Sequence, residues 1–324
     1  MFQELDGNET NTKRNLRQKP EDRQSICSDA AIVKPYIIFN PAAGPIRDHD
    51  SVVARLKELR PIALRTTRRK GDAERWARDA LCSKANAIIV AGGDGTLNEV
   101  VNGLGTRGKR MVIGLLPRGT GNDFARTLGL PTSIEENIDI IRAGKTRRID
   151  LVRVKSKGTR YFVNMSAGGF SGMVDKKITR RIKRTWGPLT YIRGAAAALP
   201  KMHGYKTKIL FDDDEELTAE LYNVVVANGR FVAGGLPIAP TAEPDDGFLE
   251  VVLFPKRGAP EMALLAAAIV LGKHLSNNAT ILRRAKKVAI RSNPGMWFNV
   301  DGELVGSAPA TFQLVPLALK FIVK

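Results

Sequence analysis

Residues 87–99, AIIVAGGDGTLNE, carry the most information about the fold of this chain. The apolar start of this stretch predicts a buried strand, and a helix is predicted from Thr96 to Leu104. Between them lie three glycines within four positions, at 92, 93 and 95. A strand that leads through such a turn into a helix is typical of a parallel sheet. The turn then lies at the edge where open α/β sheets bind ligands.

The turn itself has the composition of an anion-binding site. Its glycines let the backbone approach a ligand closely and adopt positive φ angles. Thr96 is the expected N-cap, and Glu99 three residues later completes a capping box. The free amides at the start of the helix would then face an anion. The glycines could serve the turn geometry alone, but Asp94 in a phosphate-friendly turn is better explained by a metal that bridges its carboxylate to phosphate.

Two further turns follow other strands of the same predicted sheet. Residues 117–126, PRGTGNDFAR, come after a strand predicted at 111–116, and residues 40–44, NPAAG, come after a strand predicted at 36–39. Either turn alone is an ordinary loop marker. Because all three turns end strands of one sheet, together they predict a nucleotide site.

The order of predicted elements divides the chain into two folded domains. In the first half, strands at 36–39, 62–66, 87–90 and 111–116 alternate with helices near 50–60, 71–84 and 96–104. After Ile149, apolar runs dominate, at 149–154, 161–165, 207–211, 221–227, 248–254, 286–290, 297–300 and 311–323, and helices are expected only near 174–184, 188–199 and 260–272. We therefore predict an α/β protein with an N-terminal Rossmann-like parallel-sheet domain and a mostly antiparallel β-sandwich domain, with the nucleotide site in the cleft between them. The expected boundaries are a disordered leader at 1–33, a nucleotide-binding domain at 34–148 and a β-rich domain at 149–324.

Composition narrows the class of protein further. The chain has 324 residues, 43% of them hydrophobic, which excludes a largely disordered protein. Its 51 Lys and Arg against 33 Asp and Glu give a net charge of +18, which attracts phosphates, anionic lipid headgroups or nucleic acid. The presence of only two cysteines disfavours a disulfide framework and indicates a reducing compartment. The start of the chain has no signal-peptide core, and the longest apolar run, 262–272, is shorter than the roughly 20 residues of a membrane span. We expect a soluble, cytoplasmic protein.

Several other chemistries lack their sequence signatures. His49, His203 and His274 share no spacing typical of metal ligands, so zinc is not expected. The sequence contains neither a P-loop nor a serine in a nucleophile elbow, which disfavours P-loop enzymes and hydrolases.

Taken together, the three turns resemble the diacylglycerol kinase catalytic-domain family, which includes soluble bacterial lipid kinases and is related to sphingosine and ceramide kinases. The matching elements are NPAAG at 40–44, GGDGTLNEVVNGL at 92–104 and PRGTGNDFAR at 117–126. The GGDGT core is shared with NAD kinases, whereas GTGNDFAR separates the lipid kinases from them. Two later segments match the family in order, APTAEPDDGFL at 239–249 and FNVDGE at 298–303, so the resemblance runs from about residue 36 to the C-terminus.

The resemblance implies that the three turns and a threonine, Thr67 or its neighbour Thr66, bind ATP. The implied nucleotide-binding residues are Asn40, Pro41, Ala42, Ala43, Gly44, Thr67, Gly92, Gly93, Asp94, Gly95, Thr96, Leu97, Asn98, Thr120, Asn122 and Asp123. Asp94 and Asp123 would also hold Mg²⁺, directly or through water, as hard oxygen ligands do.

The DGE segment supplies the remaining catalytic candidates. From the residues alone, Asp301 and Gly302 suit a hairpin turn with a solvated carboxylate. With the family pattern, Asp301 and Glu303 join Asp94 as catalytic residues: one carboxylate accepts the proton of a lipid hydroxyl and the other orients it or the metal. In an extended chain, residues two apart point the same way. The resemblance leaves Asp301 and Glu303 with similar weight as the base.

A second metal site is implied nearby. Asp246, with Glu243 and the carbonyl group of Phe248, matches a family position that binds a structural Mg²⁺, although DDG at 245–247 is also an ordinary turn. The acidic run at 212–216 is expected to be a solvated hairpin tip rather than a metal site.

The segment at 176–193, KKITRRIKRTWGPLTYIR, holds seven basic residues and no acidic one. Apolar residues recur in it at helical spacing, which favours an interfacial helix on anionic lipid, with a core-facing stripe and a solvated basic back as the equal alternative. No nucleic-acid module is recognisable, so nucleic acid is not an expected partner. A homodimer is left open.

These observations predict an ATP- and Mg²⁺-dependent lipid kinase that acts on diacylglycerol or a related lipid and associates with the inner face of the membrane. The alternatives are an NAD kinase-like enzyme with a soluble substrate, and a non-catalytic sensor of ATP and lipid.

Overall fold

The N-terminal half forms a parallel sheet whose central strands are apolar on both faces. In the computed structural model, which describes residues 34–44, 49–169, 203–276 and 279–324, β1 (Pro35–Phe39) and β3 (Ala87–Gly92) are buried at every position. With β2 (Ala63–Thr66) and β4 (Val112–Pro117) they form the order β2-β1-β3-β4, and all of these pairings are parallel. Strands that are buried on both faces need helices on both sides of the sheet.

Those helices are α1 (His49–Lys57), α2 (Asp72–Leu81), α3 (Asp94–Leu104), α4 (Asp123–Thr127) and α5 (Ile134–Ala143). A 3-10 helix at Gly105–Arg110 leads from α3 towards β4. Leu56 of α1 and Ile141 of α5 pack on one face of the sheet. Ala77 of α2 and Val100 of α3 pack on the other face, so the helices cover both sides.

The C-terminal half is built from strands that pair mainly antiparallel. The strands are β5 (Thr146–Lys155), β6 (Thr159–Phe162), β7 (Met165–Gly169), β8 (Tyr205–Phe211), β9 (Glu215–Ala227), β10 (Phe231–Val232), β11 (Leu236–Pro237), β12 (Leu249–Pro255), β13 (Ile281–Ala285), β14 (Lys287–Asn293), β15 (Trp297–Val300), β16 (Glu303–Ser307) and β17 (Ala310–Ile322). One helix, α6 (Ala259–Val270), and a 3-10 helix at His274–Ser276 lie among the described residues of this half. Aromatic and branched side chains such as Phe162, Phe298 and Phe312 fill its core.

The last strand connects the two halves. β17 pairs antiparallel with β14 and with β5, and its end runs parallel to β4, with Lys320 opposite Val112 and Phe321 opposite Ile113. The C-terminus therefore completes the sheet of the N-terminal half. The expected boundary near Ile149 falls inside β5.

The predicted fold class is confirmed, as are the strands and helices expected up to residue 117. Helices α4 and α5 were not expected, and neither was the parallel pairing of β17 with β4. The acidic run does lie at the tip of the hairpin between β8 and β9, with Asp212 and Asp213 exposed and at positive φ. The expected leader at 1–33, the helices near 174–184 and 188–199, and the basic segment at 176–193 lie outside the described residues.

Candidate active site

The three glycine-containing turns lie against one another because β1, β3 and β4 are neighbours in the sheet. The contact is between backbones: a Cβ atom built on Gly119 would lie 2.7 Å from the Cα of Gly93. A Cβ on Gly44, which has a φ of +86°, would lie 2.2 Å from the carbonyl oxygen of Arg118. At these positions the glycines are therefore required for the turns to pack, apart from any contact with a ligand.

Asn40 and Thr96 hold the first two turns together. The side-chain oxygen of Asn40 accepts from the N–H of Ala42 (3.0 Å), and its Nδ2 donates to Oγ1 of Thr96 (2.9 Å). The predicted capping box is wrong. Because the backbone of Gly93 is extended and α3 begins at Asp94, Gly93 is the N-cap and no side chain caps this end of α3. Glu99 instead accepts from the N–H of Ala73 at the start of α2 (3.1 Å).

Two carboxylates, that of the buried Asp123 and that of the half-buried Asp94, approach each other at the third turn. A Cβ on Gly121 would lie 2.8 Å from Oδ2 of Asp94 and 3.2 Å from Oδ2 of Asp123. Burial, and next the charge of Asp123, raise the pKa of Asp94 to about 6. Burial also raises the pKa of Asp123. Like charges enclosed together in this way favour either a proton or a bound cation between them.

A third carboxylate, that of the half-buried Asp301, reaches this place from the C-terminal half. Asp301 lies in the turn between β15 and β16, where its Oδ1 accepts from the N–H of Met165 (2.9 Å) and its Oδ2 accepts from Nδ2 of Asn98 on α3 (3.4 Å). Burial, and to a lesser extent the charge of Asp94, raise the pKa of Asp301 to about 7. The catalytic candidates Asp94 and Asp301 thus lie close enough to interact across the two halves.

Glu303 has different partners from Asp301. Its carboxylate pairs with Lys70 (2.9 Å), from the loop before α2, and with Arg160 on β6 (3.4 Å). The sequence analysis expected the side chains of Asp301 and Glu303 to point the same way because it assumed an extended chain. That assumption is wrong, since Asp301 and Gly302 have φ angles of 45° and 92° and form a turn. The side chain of Glu303 is 18% exposed and is held by ion pairs. The carboxylate of Asp301 is held instead by hydrogen bonds from Met165 and Asn98.

The other predicted nucleotide residues lie in or beside the three turns. Thr67 is half-buried and donates its N–H to the carbonyl group of Phe39, so it lies next to the first turn. Thr120 is exposed in the third turn. The side chain of Asn122 closes that turn, since it accepts from the N–H of Gly119 (2.8 Å) and donates to its carbonyl group (2.7 Å). A small cleft between the second and third turns is lined by residues that include Gly92, Gly93, Asp94, Leu97 and Asn122.

In the segment at 243–248 the carboxylates are paired with arginines. The pairs are Glu243 with Arg230, Asp245 with Arg147, and Asp246 with Arg284. The N–H of Phe248 donates to Asp246 (2.9 Å). Within the described ranges, no three or more His, Cys, Asp or Glu side chains are grouped so as to hold a metal ion. The structural Mg²⁺ at Asp246, Glu243 and Phe248 stays a prediction.

Sequence reasoning missed two supports of the site. Gly234 and Gly235, both at positive φ, donate their N–H groups to Asp123 (2.7 Å from Gly235). Asp150 is fully buried and accepts from the N–H groups of Gly247 (2.9 Å) and Leu317 (2.6 Å), and burial raises its pKa to about 6. The two adjacent glycines can be seen in the sequence and indicate an unusual turn. Their partner, Asp123, could not be identified from the sequence because it lies more than 110 residues earlier in the chain.

Replacing single glycines of the second turn separates packing from ligand contact. We expect Gly93→Ala to lower the free energy of unfolding by about 1–3 kcal/mol, because its Cβ would lie 2.9 Å from the Cα of Gly119. Gly95→Ala is the matched control: nothing lies within 4 Å of its Cβ, and alanine suits a helix better by about 0.8–1 kcal/mol. Denaturant unfolding of both variants tests this, and equal destabilisation of the two would contradict it.

The raised carboxyl pKa values predict how stability depends on pH. A carboxyl group that binds its proton more tightly in the folded state stabilises the fold at low pH, and this contribution is lost as the pH rises from the unfolded pKa near 4 through the folded pKa. For Asp301, with a pKa of about 7, the loss falls between about pH 4 and pH 7. We expect Asp301→Asn to remove about 1–3 kcal/mol of this pH dependence, measured by urea unfolding across that range. Parallel profiles for the variant and the wild type would contradict this.

Comparison with known proteins agrees with this geometry. Residues 34–154 match the family model of the diacylglycerol kinase catalytic domain, and residues 164–323 match that of the YegS C-terminal NAD kinase beta sandwich-like domain. The fold is thus that of a kinase. The chain belongs to the diacylglycerol kinase catalytic-domain family.

Individual relatives are similar over most of their length. The chain is 34% identical to the diacylglycerol kinase of Staphylococcus carnosus over 280 residues, which covers 85% of this chain and 90% of that protein. It is also 34% identical to a diacylglycerol kinase of Staphylococcus epidermidis over 85% of this chain and 87% of the relative. A crystal structure of a candidate diacylglycerol kinase from Bacillus anthracis strain Sterne has a TM-score of 0.78 at 25% identity and covers 94% of this chain and 99% of its own. The chain is an enzyme of the diacylglycerol kinase type.

Among the helices of the described residues, none has the length and apolar character needed to cross a bilayer.

Proposed function

We propose that this enzyme transfers the γ-phosphoryl group of ATP, together with Mg²⁺, to the hydroxyl group of a lipid, diacylglycerol or a close relative. The observation that carries the proposal is the meeting of three strand-end turns with carboxylates from both halves, Asp94 and Asp123 from one and Asp301 from the other. Phosphoryl transfer depends mainly on positioning and charge neutralisation, and such a cleft can supply both.

The first half supplies the nucleotide side of this proposal. The turns at 40–44, 92–98 and 117–122 lie together at the carboxyl edge of the sheet. Among them, the start of α3 offers the N–H groups of a helix N-terminus, and no capping side chain competes there with phosphate. Mg²⁺ fits the residues present, since Asp94 and Asp123 are neighbouring carboxylates with raised pKa values, and the cation seen beside them is Arg126, which pairs with Asp123. When bound, the metal would neutralise charge on the phosphates. Asp94 and Asp123 would hold it directly or through water.

The DGE turn supplies the acceptor side. Glu303 retains exposed surface, and Lys70 and Arg160 fix the position of its carboxylate. We therefore assign Glu303 the role of the base that accepts the proton of the acceptor hydroxyl group. Asp301 is enclosed and bonded to Asn98, so we assign it the role of orienting α3 and the metal-binding carboxylate Asp94 relative to that acceptor. Glu303 would thus act on the acceptor hydroxyl group, whereas Asp301 would act on the position of α3 and Asp94.

The lipid partner is proposed from charge and from the relatives. A net charge of +18 favours an anionic surface, and the curated relatives are named for a lipid acceptor. We propose peripheral association with the inner face of the membrane, with the basic segment at 176–193 as one contact.

Radiolabel transfer from [γ-³²P]ATP tests the proposed function. Diacylglycerol, phosphatidylglycerol, a sphingoid base and, as a soluble acceptor, NAD are each incubated with enzyme, ATP and Mg²⁺, the lipids in mixed micelles. We expect label in a lipid, with diacylglycerol first. Label in NAD alone would favour the soluble-substrate kinase, and ATP binding without label in any acceptor would favour a sensor. Either result would overturn the proposal.

A further inference from the structure

Helix α6 differs from every other described helix in its composition. Its sequence, APEMALLAAAIV, contains a single charged residue, Glu261, which faces Arg257 one turn earlier (3.2 Å). One face of the helix packs into the C-terminal half: Leu265 is buried against a cluster that contains Val252 and Phe254, and Met262 and Ile269 lie beside it. This face accounts for the position of α6 in the fold.

The opposite face is also apolar but is open to solvent. Leu264 is 72% exposed, Val270 44% and Leu271 69%, and the smaller Ala263 and Ala267 are exposed on the same side. Positions 263, 264, 267, 270 and 271 follow the three- and four-residue spacing of one helical face. Single exposed apolar residues need no explanation. A helix that is apolar on every side, however, is typical of one that is covered on every side.

The charges around this face favour an anionic partner. Lys273 is exposed just after the helix, whereas Lys256, exposed just before it, is paired with Glu220 (2.8 Å), and the carboxylate of Glu261 on α6 is paired with Arg257. A second copy of the chain would also carry +18 and would be repelled at long range, whereas an anionic lipid surface attracts the protein and can take up leucine side chains. Apolar insertion and charge attraction then act together.

We propose that the outer face of α6, defined as residues 263, 264, 267, 270 and 271, inserts into an anionic lipid surface and docks the enzyme there. This inference rests on the proposed function, because a lipid acceptor must be met at such a surface. It concerns described residues in the C-terminal half and is independent of the basic segment at 176–193.

The test uses full-length enzyme with the double variant Leu264→Asp/Leu271→Asp. The matched control is Ile62→Asp, which places the same charge at an exposed apolar residue (46% exposed) of the N-terminal half. Co-sedimentation is measured with vesicles of phosphatidylglycerol and phosphatidylcholine and with phosphatidylcholine alone. We expect the double variant to lose at least about tenfold in partitioning to the anionic vesicles and the control to bind as wild type.

Three further readouts make the result decisive. Phosphorylation of a short-chain diacylglycerol dispersed as monomers is expected to be unchanged in the double variant, which separates docking from chemistry. If no lipid is phosphorylated by the wild type, the proposed function fails, while the vesicle result still stands or falls separately. Unchanged vesicle binding overturns the docking proposal. In that case a lower mass by analytical ultracentrifugation would assign the face to a second copy, and a lower Tm would assign it to packing within the chain.

Discussion

Asp94→Asn is expected to reduce kcat for lipid phosphorylation by about 10³-fold or more without unfolding the protein. The amide keeps the size of the side chain, and its oxygen can still accept from the N–H of Phe124. What is lost is the negative charge that would help to hold a metal ion beside the nucleotide phosphates. Because Asp94 and Asp123 repel each other in the protein without nucleotide, we expect the Tm of the variant to be equal to or above that of the wild type.

The control for this prediction is Asp139→Asn, which makes the same change at a carboxylate that is 73% exposed on α5 and pairs with Arg142. Its kcat and Tm should match the wild type within error. Initial rates at saturating ATP and lipid, with Tm measured in the same buffer, check both variants. A kcat for Asp94→Asn within about threefold of the wild type would remove the metal-binding role of this carboxylate.

Glu303→Gln is expected to lower kcat by about 10²–10⁴-fold, the range for loss of a general base, and to leave KM for ATP nearly unchanged. The glutamine cannot accept a proton from the acceptor hydroxyl, yet it fills the same space between Lys70 and Arg160. Steady-state kinetics with ATP and lipid varied separately distinguish a loss in the chemical step from a loss in nucleotide binding.

Asp301→Asn is the companion variant for Glu303→Gln. It preserves the enclosed position of the side chain but removes the charge next to Asp94. If Glu303→Gln were nearly as active as the wild type while Asp301→Asn were inactive, the acceptor proton would belong to Asp301 and the assignment made above would be wrong.

The sequence predicted what is local and missed what depends on distant pairing. The stretch at 87–99 leads from a buried strand into a helix within a few residues, so the strand, the turn and its carboxylate could be recognised directly. The capping box failed because the extended backbone of Gly93 starts α3 two residues before Thr96, which frees Thr96 to accept from Asn40. Local composition does not reveal where a glycine turn ends and a helix begins.

The parts of the site that depend on the second half could be seen only in the fold. Gly234 and Gly235 approach Asp123, and Asn98 approaches Asp301, across more than 100 and 200 residues of chain respectively. The spacing of Asp301 and Glu303 predicted a shared direction, which the turn at 301–302 removes. The parallel pairing of β17 with β4 likewise joins the last strand to the sheet of the N-terminal half and leaves no local pattern in the sequence.

The central claim is that the three strand-end turns and the carboxylates form one ATP and metal site between the two halves. Anomalous diffraction from crystals grown with ATP and Mn²⁺ in place of Mg²⁺ tests it most directly. We expect an anomalous peak beside Asp94. We also expect the phosphates to lie against the turn at 92–98, with the γ-phosphate directed towards the DGE turn at 301–303. Nucleotide bound away from these turns, or a metal without Asp94 or Asp123 among its direct or water-bridged ligands, would contradict it.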